Sequence, residues 1–324
     1  MNAAEVNYHE SLLKNMIHNS IVNAVGFIVR ECNKRGNRPQ EPDYVAALSL
    51  KFTPDLFSIL KTIFPRNKFS VTGVFCHQAP LADIGLRTAP EIGDILFVYV
   101  YTDRMGLKKF NSLLFQAKIS TESTLIIDSS EAHQLELYSK WPKFTYKRAG
   151  TLNGESRDIL PKTINDGAQY LLIDNHPIYG LSGMRGTFPM GCATPAKILS
   201  INDDLASEIT NFIKFKSGRA FEDDLSQSKD DWSKMIWDLL RITKDKASKR
   251  NNAGLSSFPR QIEKLEGCSF FQSESNSIYQ DLHEELRNND NNIRKTNNES
   301  LFDSNDNNAL SVILIESEEQ REEE

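Results

Sequence analysis

The sequence predicts an α/β fold in which a mixed central β-sheet is flanked by helices and followed by a helical C-terminal extension and a disordered acidic tail. Two stretches with helical spacing open the chain, and three β-rich runs follow between residues 68 and 119. From about residue 244 the composition shifts to Lys, Asn, Ser, Asp and Glu. Helices followed by strands and further helices favour a mixed α/β core, and the polar end lacks the apolar residues that offset the entropy cost of ordering.

Residues 4–32 form the first predicted helix, because apolar residues recur there at three- and four-residue spacings. These residues are Leu12, Leu13, Met16, Ile17, Ile21, Val22, Val25 and Val29. A second helical stretch is predicted from about Pro42, since proline suits a first helical turn, and it continues past Pro54 to Ile63. Both helices have an apolar face and are expected to pack on the strands that come next in the chain.

Three β-rich runs are predicted strands, at residues 68–75, 92–101 and 110–119. A turn at residues 103–106 separates the last two, so these are expected to pair as a hairpin. Residues 129–141 then have helical spacing, and the pair Trp141-Pro142 ends that helix because proline disfavours a helical conformation in the residue before it.

Further elements are predicted downstream: a strand at residues 169–173, a glycine-containing loop at 183–191, and helices at 206–215 and 231–242. The chain is therefore expected to comprise a core of residues 1–160, an α/β extension packed on it at 161–243, and a mostly disordered tail at 244–324. The exception within the tail is the apolar run at residues 310–315, which we expect either to add an edge strand or to bind a partner.

The net charge of −6 argues at first against a nucleic-acid partner, because Lys and Arg make the contacts to phosphates. The charge is unevenly distributed, however. Residues 1–150 hold 18 Lys and Arg against 14 Asp and Glu, and residues 281–324 hold 4 against 13. The acidity therefore belongs largely to the tail, and the predicted core is mildly basic, which permits DNA or RNA binding.

Several protein classes are disfavoured by features that the sequence lacks. The first residues are polar and no apolar run approaches the roughly 18–20 residues that cross a bilayer, so neither a secretory signal nor a membrane span is expected. The four cysteines form no C-x-x-C pair, which argues against a zinc site or a disulfide framework. We therefore expect a cytoplasmic protein with reduced thiols.

Asp94 opens the second predicted strand, and Gln116 and Lys118 end the third. Alternate residues of a strand share a face, so Gln116 and Lys118 point to the same side while Ala117 points to the other. Because the end of one hairpin strand lies beside the start of its partner, a carboxylate, an amide oxygen and an ammonium are expected to converge. Oxygen ligands favour Mg²⁺ or Mn²⁺ over zinc, and a nearby lysine can orient water or stabilise developing negative charge.

Asp94 and the triplet Gln116-Ala117-Lys118 together resemble the PD-(D/E)xK, or restriction-endonuclease-like, nuclease superfamily, in the variant whose second acidic position is glutamine. The resemblance covers about residues 20–150 and implies a restriction-endonuclease-like mixed sheet flanked by helices. It implies that Asp94 is a metal ligand, Gln116 a weaker ligand through its side-chain oxygen, and Lys118 the catalytic lysine, with Mg²⁺ or Mn²⁺ as cofactor. Glu41, with Glu31 behind it, is the candidate for the early-helix glutamate that often completes the metal site in this family.

The resulting hypothesis is a Mg²⁺-dependent endonuclease that hydrolyses DNA phosphodiester bonds, and by analogy a prokaryotic anti-phage defence effector. One alternative is a catalytically inactive nuclease-like module that binds nucleic acid or scaffolds a defence complex, because Gln116 lacks the charge of a glutamate. Another is an interaction protein whose acidic tail mimics nucleic acid or covers the basic face. A protein partner or a homo-oligomer that controls activity is compatible with each.

A second feature combines basic and aromatic residues between positions 140 and 148. The basic residues are Lys140, Lys143, Lys147 and Arg148, and the aromatic residues are Trp141, Phe144 and Tyr146. This composition is typical of a surface that stacks on bases and contacts phosphates. A helix end that covers the sheet is the alternative.

Three other polar residues lie near the predicted strands. Asp83 is a rival for the metal-binding acid, since it also follows the first strand. Glu91 is expected to be a solvated turn residue. His77 is expected to be an ordinary side chain at a strand end.

Overall fold

The structure is a computed structural model that describes residues 1–34, 36–76, 78–162, 167–174, 189–224, 226, 229–249, 268–272 and 308–320. These residues build one large mixed β-sheet with helices on both of its faces. The predicted α/β class with a mixed central sheet is therefore confirmed.

The strands of the described residues are β1 (Asn67–Cys76), β2 (Leu81–Asp83), β3 (Ile95–Thr102), β4 (Lys108–Ser120), β5 (Thr124–Ile126), β6 (Phe144–Lys147), β7 (Ser156–Arg157), β8 (Ala168–Asp174), β9 (Met190–Ala193), β10 (Ile198–Asp204), β11 (Arg219–Phe221), β12 (Cys268–Gln272) and β13 (Ser311–Glu319). The large sheet has the order β12-β1-β13-β3-β4-β8-β9-β10-β5, and β11 pairs with the first part of β4. The pairs β13–β3 and β4–β8 are parallel, and the other pairs are antiparallel. Strands β2, β6 and β7 form a small separate sheet.

The α-helices of the described residues are α1 (Ala3–Tyr8), α2 (Glu10–Lys34), α3 (Glu41–Ala46), α4 (Thr53–Ile63), α5 (Ala132–Lys140), α6 (Leu205–Ile213) and α7 (Asp231–Lys249). A π-helical segment (Ala47–Phe52) joins α3 to α4, and a 3-10 turn (Ser129–Glu131) leads into α5. Helices α1 to α4 and α6 cover what we call the first face of the large sheet, whereas α5, α7 and the small sheet cover the second face. The predicted helical stretches at 4–32, 42–63 and 129–141 correspond to α1 and α2, to α3 and α4, and to α5. His9 separates α1 from α2, and the π-helical segment separates α3 from α4, which the spacing did not predict.

The predicted hairpin is present as β3 and β4, which pair in antiparallel register. Its turn is closed by Asp103, whose Oδ1 accepts hydrogen bonds from the backbone N–H groups of Met105 and Leu107 at 2.8 and 2.9 Å. Gly106 completes the turn with a φ of 84°, a conformation that favours glycine. Turn chemistry and apolar runs were therefore sufficient to predict this pairing.

The second strand of the hairpin is longer than the first, and this difference positions the site. Ile95, the first residue of β3, pairs with Phe115, so residues 116–120 of β4 project beyond the start of β3. Ala117 packs into the core of the first face, while Leu114 packs into the core of the second face. Residues that alternate with Ala117 along this projecting end therefore face the second side.

The apolar run at residues 310–315 lies within β13, in the interior of the sheet between β1 and β3. This run, the expected exception within the tail, is a strand, but the expectation that it takes an edge position is wrong. Val312, Ile313, Leu314 and Ile315 have no exposed surface. A strand with helices on both faces is apolar without alternation, which explains why so short a run is buried completely. An edge position is taken instead by β12.

Residues assigned to the extension continue the same sheet through β8, β9 and β10, and α6 and α7 pack on opposite faces of it. The predicted strand at 169–173 and the two predicted helices are confirmed, although α7 reaches Lys249. Most of the predicted loop at 183–191 lies outside the described residues. Three cysteines are buried and take part in no disulfide bond among the described residues, namely Cys32, Cys76 and Cys192. Within the described ranges, every helix is too short or too polar to span a bilayer.

Candidate functional site

Asp94 lies directly before β3, where its backbone N–H donates to the carbonyl oxygen of Phe115 at 2.8 Å. This bond holds Asp94 beside the projecting end of β4. Its carboxylate oxygen Oδ2 accepts hydrogen bonds from Nε2 of Gln116 at 2.5 Å and from the backbone N–H of Ala117 at 2.6 Å. The structure therefore brings Asp94 and Gln116 into direct contact, as the sequence predicts.

Gln116 is 5% exposed, and its side-chain oxygen Oε1 has no hydrogen-bond partner among the described residues. A buried acceptor without a donor costs about 1–3 kcal/mol, so an unpartnered atom in a folded protein requires an explanation. The Asp94 carboxylate fixes the nitrogen of the same amide, which keeps Oε1 beside that carboxylate. A cation or a water molecule is the kind of partner that would satisfy this oxygen.

Lys118 extends from the same face of β4 as Gln116 and forms an ion pair with Glu131. The Lys118 side chain is 12% exposed. Burial lowers the pKa of an ammonium, but the negative charges of Glu41 and Glu131 outweigh burial and hold the pKa of Lys118 above its usual value. Lys118 therefore keeps its positive charge. We use the term cluster for Asp94, Gln116 and Lys118 together with the acids whose charges act on them, Glu41, Glu91 and Glu131.

Glu41 is the first residue of α3, where the positive end of the helix dipole favours an acid. Its Oε1 accepts a hydrogen bond from the backbone N–H of Ile119 at 3.2 Å, which attaches it to the end of β4. Its charge also raises the pKa of Asp94. The structure thus places the predicted early-helix glutamate at the cluster, whereas Glu31 is engaged with Lys34 on α2.

The loop that leads to Asp94 is held by α5. The hydroxyl of Tyr138 donates to the carbonyl oxygen of Ile92 at 2.8 Å. Gly93 fits against that hydroxyl because it has no side chain, since a Cβ at this position would lie 2.7 Å from Tyr138 Oη. The position of Asp94 therefore depends on a close backbone approach that only glycine allows.

Burial raises the pKa of Asp94 to about 8, and the charge of Glu91 adds to this effect, while the hydrogen bond from Ala117 opposes it. Glu91 is half-buried, and burial raises its own pKa. The expectation that Glu91 is a solvated turn residue is wrong, because α5 covers the loop in which it lies. The cluster therefore contains acidic groups that resist ionisation unless a positive charge joins them.

The oxygens that Asp94 and Gln116 bring together are of the kind that a hard divalent cation binds, whereas Glu41 and Glu91 act on Asp94 through their charges. The unpartnered Gln116 Oε1 is the structural observation that fits such a ligand. Among the described residues, no three or more His, Cys, Asp or Glu side chains are grouped so as to hold a metal ion. A cation here would have few protein ligands and would keep water in its shell, as Mg²⁺ usually does.

The aromatic side chains near residue 144 are not a stacking surface. Trp141 and Phe144 are each 1% exposed, and Tyr146 is fully buried. These rings belong to the core of the second face, where the end of α5 and strand β6 close over the large sheet. The alternative interpretation, a helix end that covers the sheet, is therefore the right one for these rings.

The four predicted nucleic-acid contacts, Lys140, Lys143, Lys147 and Arg148, are all exposed. Lys140 and Lys147 form ion pairs with Glu136 and Asp83. Asp83 lies in β2 and is engaged with Lys147, so this rival acid does not join the cluster. Arg148 lies close enough to the cluster for its charge to lower the pKa of Glu91. His77 lies outside the described residues.

Sequence reasoning missed the partner of Lys118 and the support of the Asp94 loop. Glu131 and Tyr138 belong to the segment predicted as a helix, but no local spacing links them to the hairpin, because the contact forms only when α5 folds back over the sheet. Glu131 ends the 3-10 turn that leads into α5 and Tyr138 lies within α5, so helical spacing places both on one element but not beside the hairpin. Comparison with known proteins found no family model, no curated protein and no solved structure that matches this chain.

Proposed function

We propose that this chain is a Mg²⁺- or Mn²⁺-dependent nuclease of the PD-(D/E)xK type, with a restriction-endonuclease-like core, that hydrolyses DNA phosphodiester bonds. The observation that carries the proposal is the buried Gln116 Oε1, which has no partner within the described part of the chain and lies beside the Asp94 carboxylate, with the Lys118 ammonium on the same strand face. The Asp94 carboxylate and the Gln116 amide oxygen suit a divalent cation, and the Lys118 ammonium suits the negative charge that develops on a phosphate. Together these groups suit phosphodiester hydrolysis.

In this proposal Asp94 and Gln116 hold the divalent cation through their side-chain oxygens, and Glu41 is the family-like candidate for a further ligand. Bound Mg²⁺ would polarise the phosphate and lower the pKa of water. Lys118 stabilises the negative charge that develops on the phosphate, and the ion pair with Glu131 keeps its ammonium in place. The backbone N–H of Ala117 fixes the orientation of the Asp94 carboxylate.

Cleavage of supercoiled plasmid DNA in Mg²⁺, in Mn²⁺ and in EDTA tests the proposal. Asp94→Asn and Lys118→Met are the site variants, and Asp83→Asn and Lys234→Met are matched controls on charged residues outside the cluster. We expect metal-dependent cutting by the wild type and both controls, and cutting at least about 100-fold slower in both site variants. Cutting that survives both site substitutions would show that the site is elsewhere.

The same assay defines the nucleic acid. Single-stranded DNA and RNA of the same sequence are offered beside the plasmid, under the metal condition that gives the fastest cutting. Cutting of RNA alone would contradict the DNA part of the proposal while leaving the site intact. Deleting residues 281–324 would not test the effect of the acidic segment alone, because the deletion would also remove the interior strand β13.

A nuclease-like module that binds nucleic acid without cutting is the second candidate. It is favoured by the hydrogen bonds of Asp94 Oδ2, which accepts from both Gln116 and Ala117 and is thereby less free to bind a cation. A wild type that shifts DNA in a gel but never cuts it would support this candidate. Cutting that appears only in Gln116→Glu would identify the missing charge at this position as the reason.

A further inference from the structure

A cavity of about 510 Å³ lies at the end of the large sheet that is opposite to Asp94. Its walls include Glu5, Arg66, Asn67, Arg104 and Glu319. Thr102, the last residue of β3, pairs with Glu318 at this end of the sheet, whereas Asp94 precedes the first residue of the same strand. At about 3.3 Å per residue, the length of β3 separates this end cavity from Asp94 by roughly 25 Å. Its volume lies within the range of about 300–1,000 Å³ that is usual for small-molecule sites.

Asn67, the first residue of β1, lines the end cavity and is 7% exposed. Its Nδ2 donates hydrogen bonds to the two carboxylate oxygens of Glu5 at 3.3 and 3.2 Å, which fixes the orientation of the amide. The other amide atom, Oδ1, has no hydrogen-bond partner among the described residues. Because buried acceptors in folded proteins are almost always satisfied, this oxygen indicates a donor that the described residues do not supply.

Two acids line the end cavity, and they differ in how far they are engaged. The Glu319 carboxylate accepts a hydrogen bond from Asn2 Nδ2 at 3.1 Å and lies 3.9 Å from the amino group of Met1. Glu5 is half-buried and, within the described ranges, forms no ion pair. The Glu5 carboxylate and Asn67 Oδ1 are both acceptors, so this side of the cavity suits an ammonium group, which has three donors and no acceptor.

Two arginines supply the opposite charge. Arg66 is exposed, lies directly before β1 and has no acidic partner in the described part of the chain. Arg104 belongs to the turn between β3 and β4, and its Nε lies 3.6 Å from Glu319, which is longer than a hydrogen bond. Guanidinium groups bind carboxylates and phosphates through paired N–H donors. This side of the cavity therefore suits an anionic group.

We propose that the end cavity binds a small zwitterion, whose ammonium group contacts Glu5 and Asn67 Oδ1 and whose carboxylate or phosphate contacts Arg66 and Arg104. The ammonium supplies the donor that Asn67 lacks, and the two charges of the ligand match the two charged sides of the cavity. The inference does not depend on the proposed nuclease activity, because the end cavity and the cluster lie at opposite ends of β3.

Calorimetric titration of the full chain tests the inference with four probes. Phosphoethanolamine and γ-aminobutyrate each carry an ammonium group and an anionic group, the first a phosphate and the second a carboxylate. Inorganic phosphate and ethanolamine each carry only one of the two charges. We expect at least one zwitterion to bind with a Kd below about 1 mM, and both single-charge probes to bind at least about tenfold more weakly.

Variants locate the binding. Arg66→Gln and Glu5→Gln should each weaken binding of the zwitterion by at least about tenfold, because each removes one charged partner. Arg87→Gln and Glu136→Gln are matched controls on an exposed arginine and a half-buried glutamate outside the cavity, and both should bind as the wild type does. Asp94→Asn should also bind as the wild type does, because it changes only the cluster.

Four results would overturn the inference. These are no binding of either zwitterion, phosphate that binds as tightly as phosphoethanolamine, unchanged binding in Arg66→Gln, and a loss in Asp94→Asn, which would place the ligand at the cluster. Urea unfolding of each variant identifies a loss of binding that comes from misfolding. If Glu5→Gln unfolds, Arg66→Gln still decides the outcome, because Arg66 is exposed and its substitution leaves the core intact.

Discussion

Asp94→Asn should make the metal-free protein more stable at alkaline pH, although it should abolish cutting. The substitution conserves shape, and the amide oxygen of asparagine can accept the two hydrogen bonds that Asp94 Oδ2 now accepts from Gln116 and Ala117. It removes a carboxyl group that burial and the nearby charge of Glu91 keep from ionising. A buried carboxyl group that costs stability is typical of a functional site, where activity and stability compete.

The sign and size of this difference in stability follow from the linkage between the pKa of Asp94 and the free energy of unfolding. The pKa of Asp94 is raised from 3.8 to about 8 in the folded protein, so the wild type loses stability as pH rises between these values. Each pH unit corresponds to about 1.4 kcal/mol, which sets an upper limit of about 6 kcal/mol at pH values above 8. Because local relaxation and water reduce such effects, we expect the free energy of unfolding of Asp94→Asn to exceed that of the wild type by about 1–3 kcal/mol there.

Urea unfolding in EDTA at about pH 4 and about pH 8.5 measures the difference. The advantage of Asp94→Asn should be absent at the lower pH and present at the higher one, and Mg²⁺ should stabilise the wild type alone. Asp83→Asn is the control with the opposite sign, because Lys147 lowers the pKa of Asp83. A variant less stable than the wild type at the higher pH would refute the reasoning about the buried carboxyl.

Three further predictions concern the framework of the fold. Glu10→Gln should lower the free energy of unfolding at neutral pH by about 1 kcal/mol, because Lys214 loses the partner that, with Lys14, lowers the pKa of Glu10 from 4.5 to about 2. Unfolding followed over pH should show this difference disappearing as pH falls through that range, and a constant difference would contradict it. Gly93→Ala should cost about 1–3 kcal/mol in urea unfolding, because its Cβ would meet Tyr138 Oη at 2.7 Å, and an unchanged midpoint would exclude this clash. A chain that ends at residue 307 should fail to fold, since four apolar side chains of β13 are fully buried and each contributes about 1.5–3 kcal/mol; a native-like circular dichroism spectrum would count against this.

The hairpin and its polar end could be predicted from the sequence because both depend on local chemistry. Asp103 and Gly106 define the turn, and the apolar run before Gln116 defines the strand, so the register between β3 and β4 follows. That register alone places Asp94 beside Gln116. Local information was enough wherever the partners lie on one hairpin.

Features that depend on distant parts of the chain could not be predicted. The apolar run at residues 310–315 does not indicate which strands it pairs with, because a parallel strand can pair with any free strand edge of similar length. Glu91 looks like a turn residue because its burial comes from α5, which lies about 40 residues later. Trp141 and Tyr146 resembled a stacking surface for the same reason, as only the packed sheet reveals that they are enclosed.

The interior position of β13 has a consequence for how this protein folds. The backbone N–H of Cys76 donates a hydrogen bond to Ser311 Oγ across a separation of 235 residues. Strands β1 and β3 are close in sequence, but β13 lies between them in the sheet. Until β13 arrives, both strands have open edges with unpaired backbone groups, which invite pairing with other chains. Closing such a distant contact is slow. We therefore expect refolding from urea to be rate-limited by the insertion of β13, and aggregation to compete with refolding at that step.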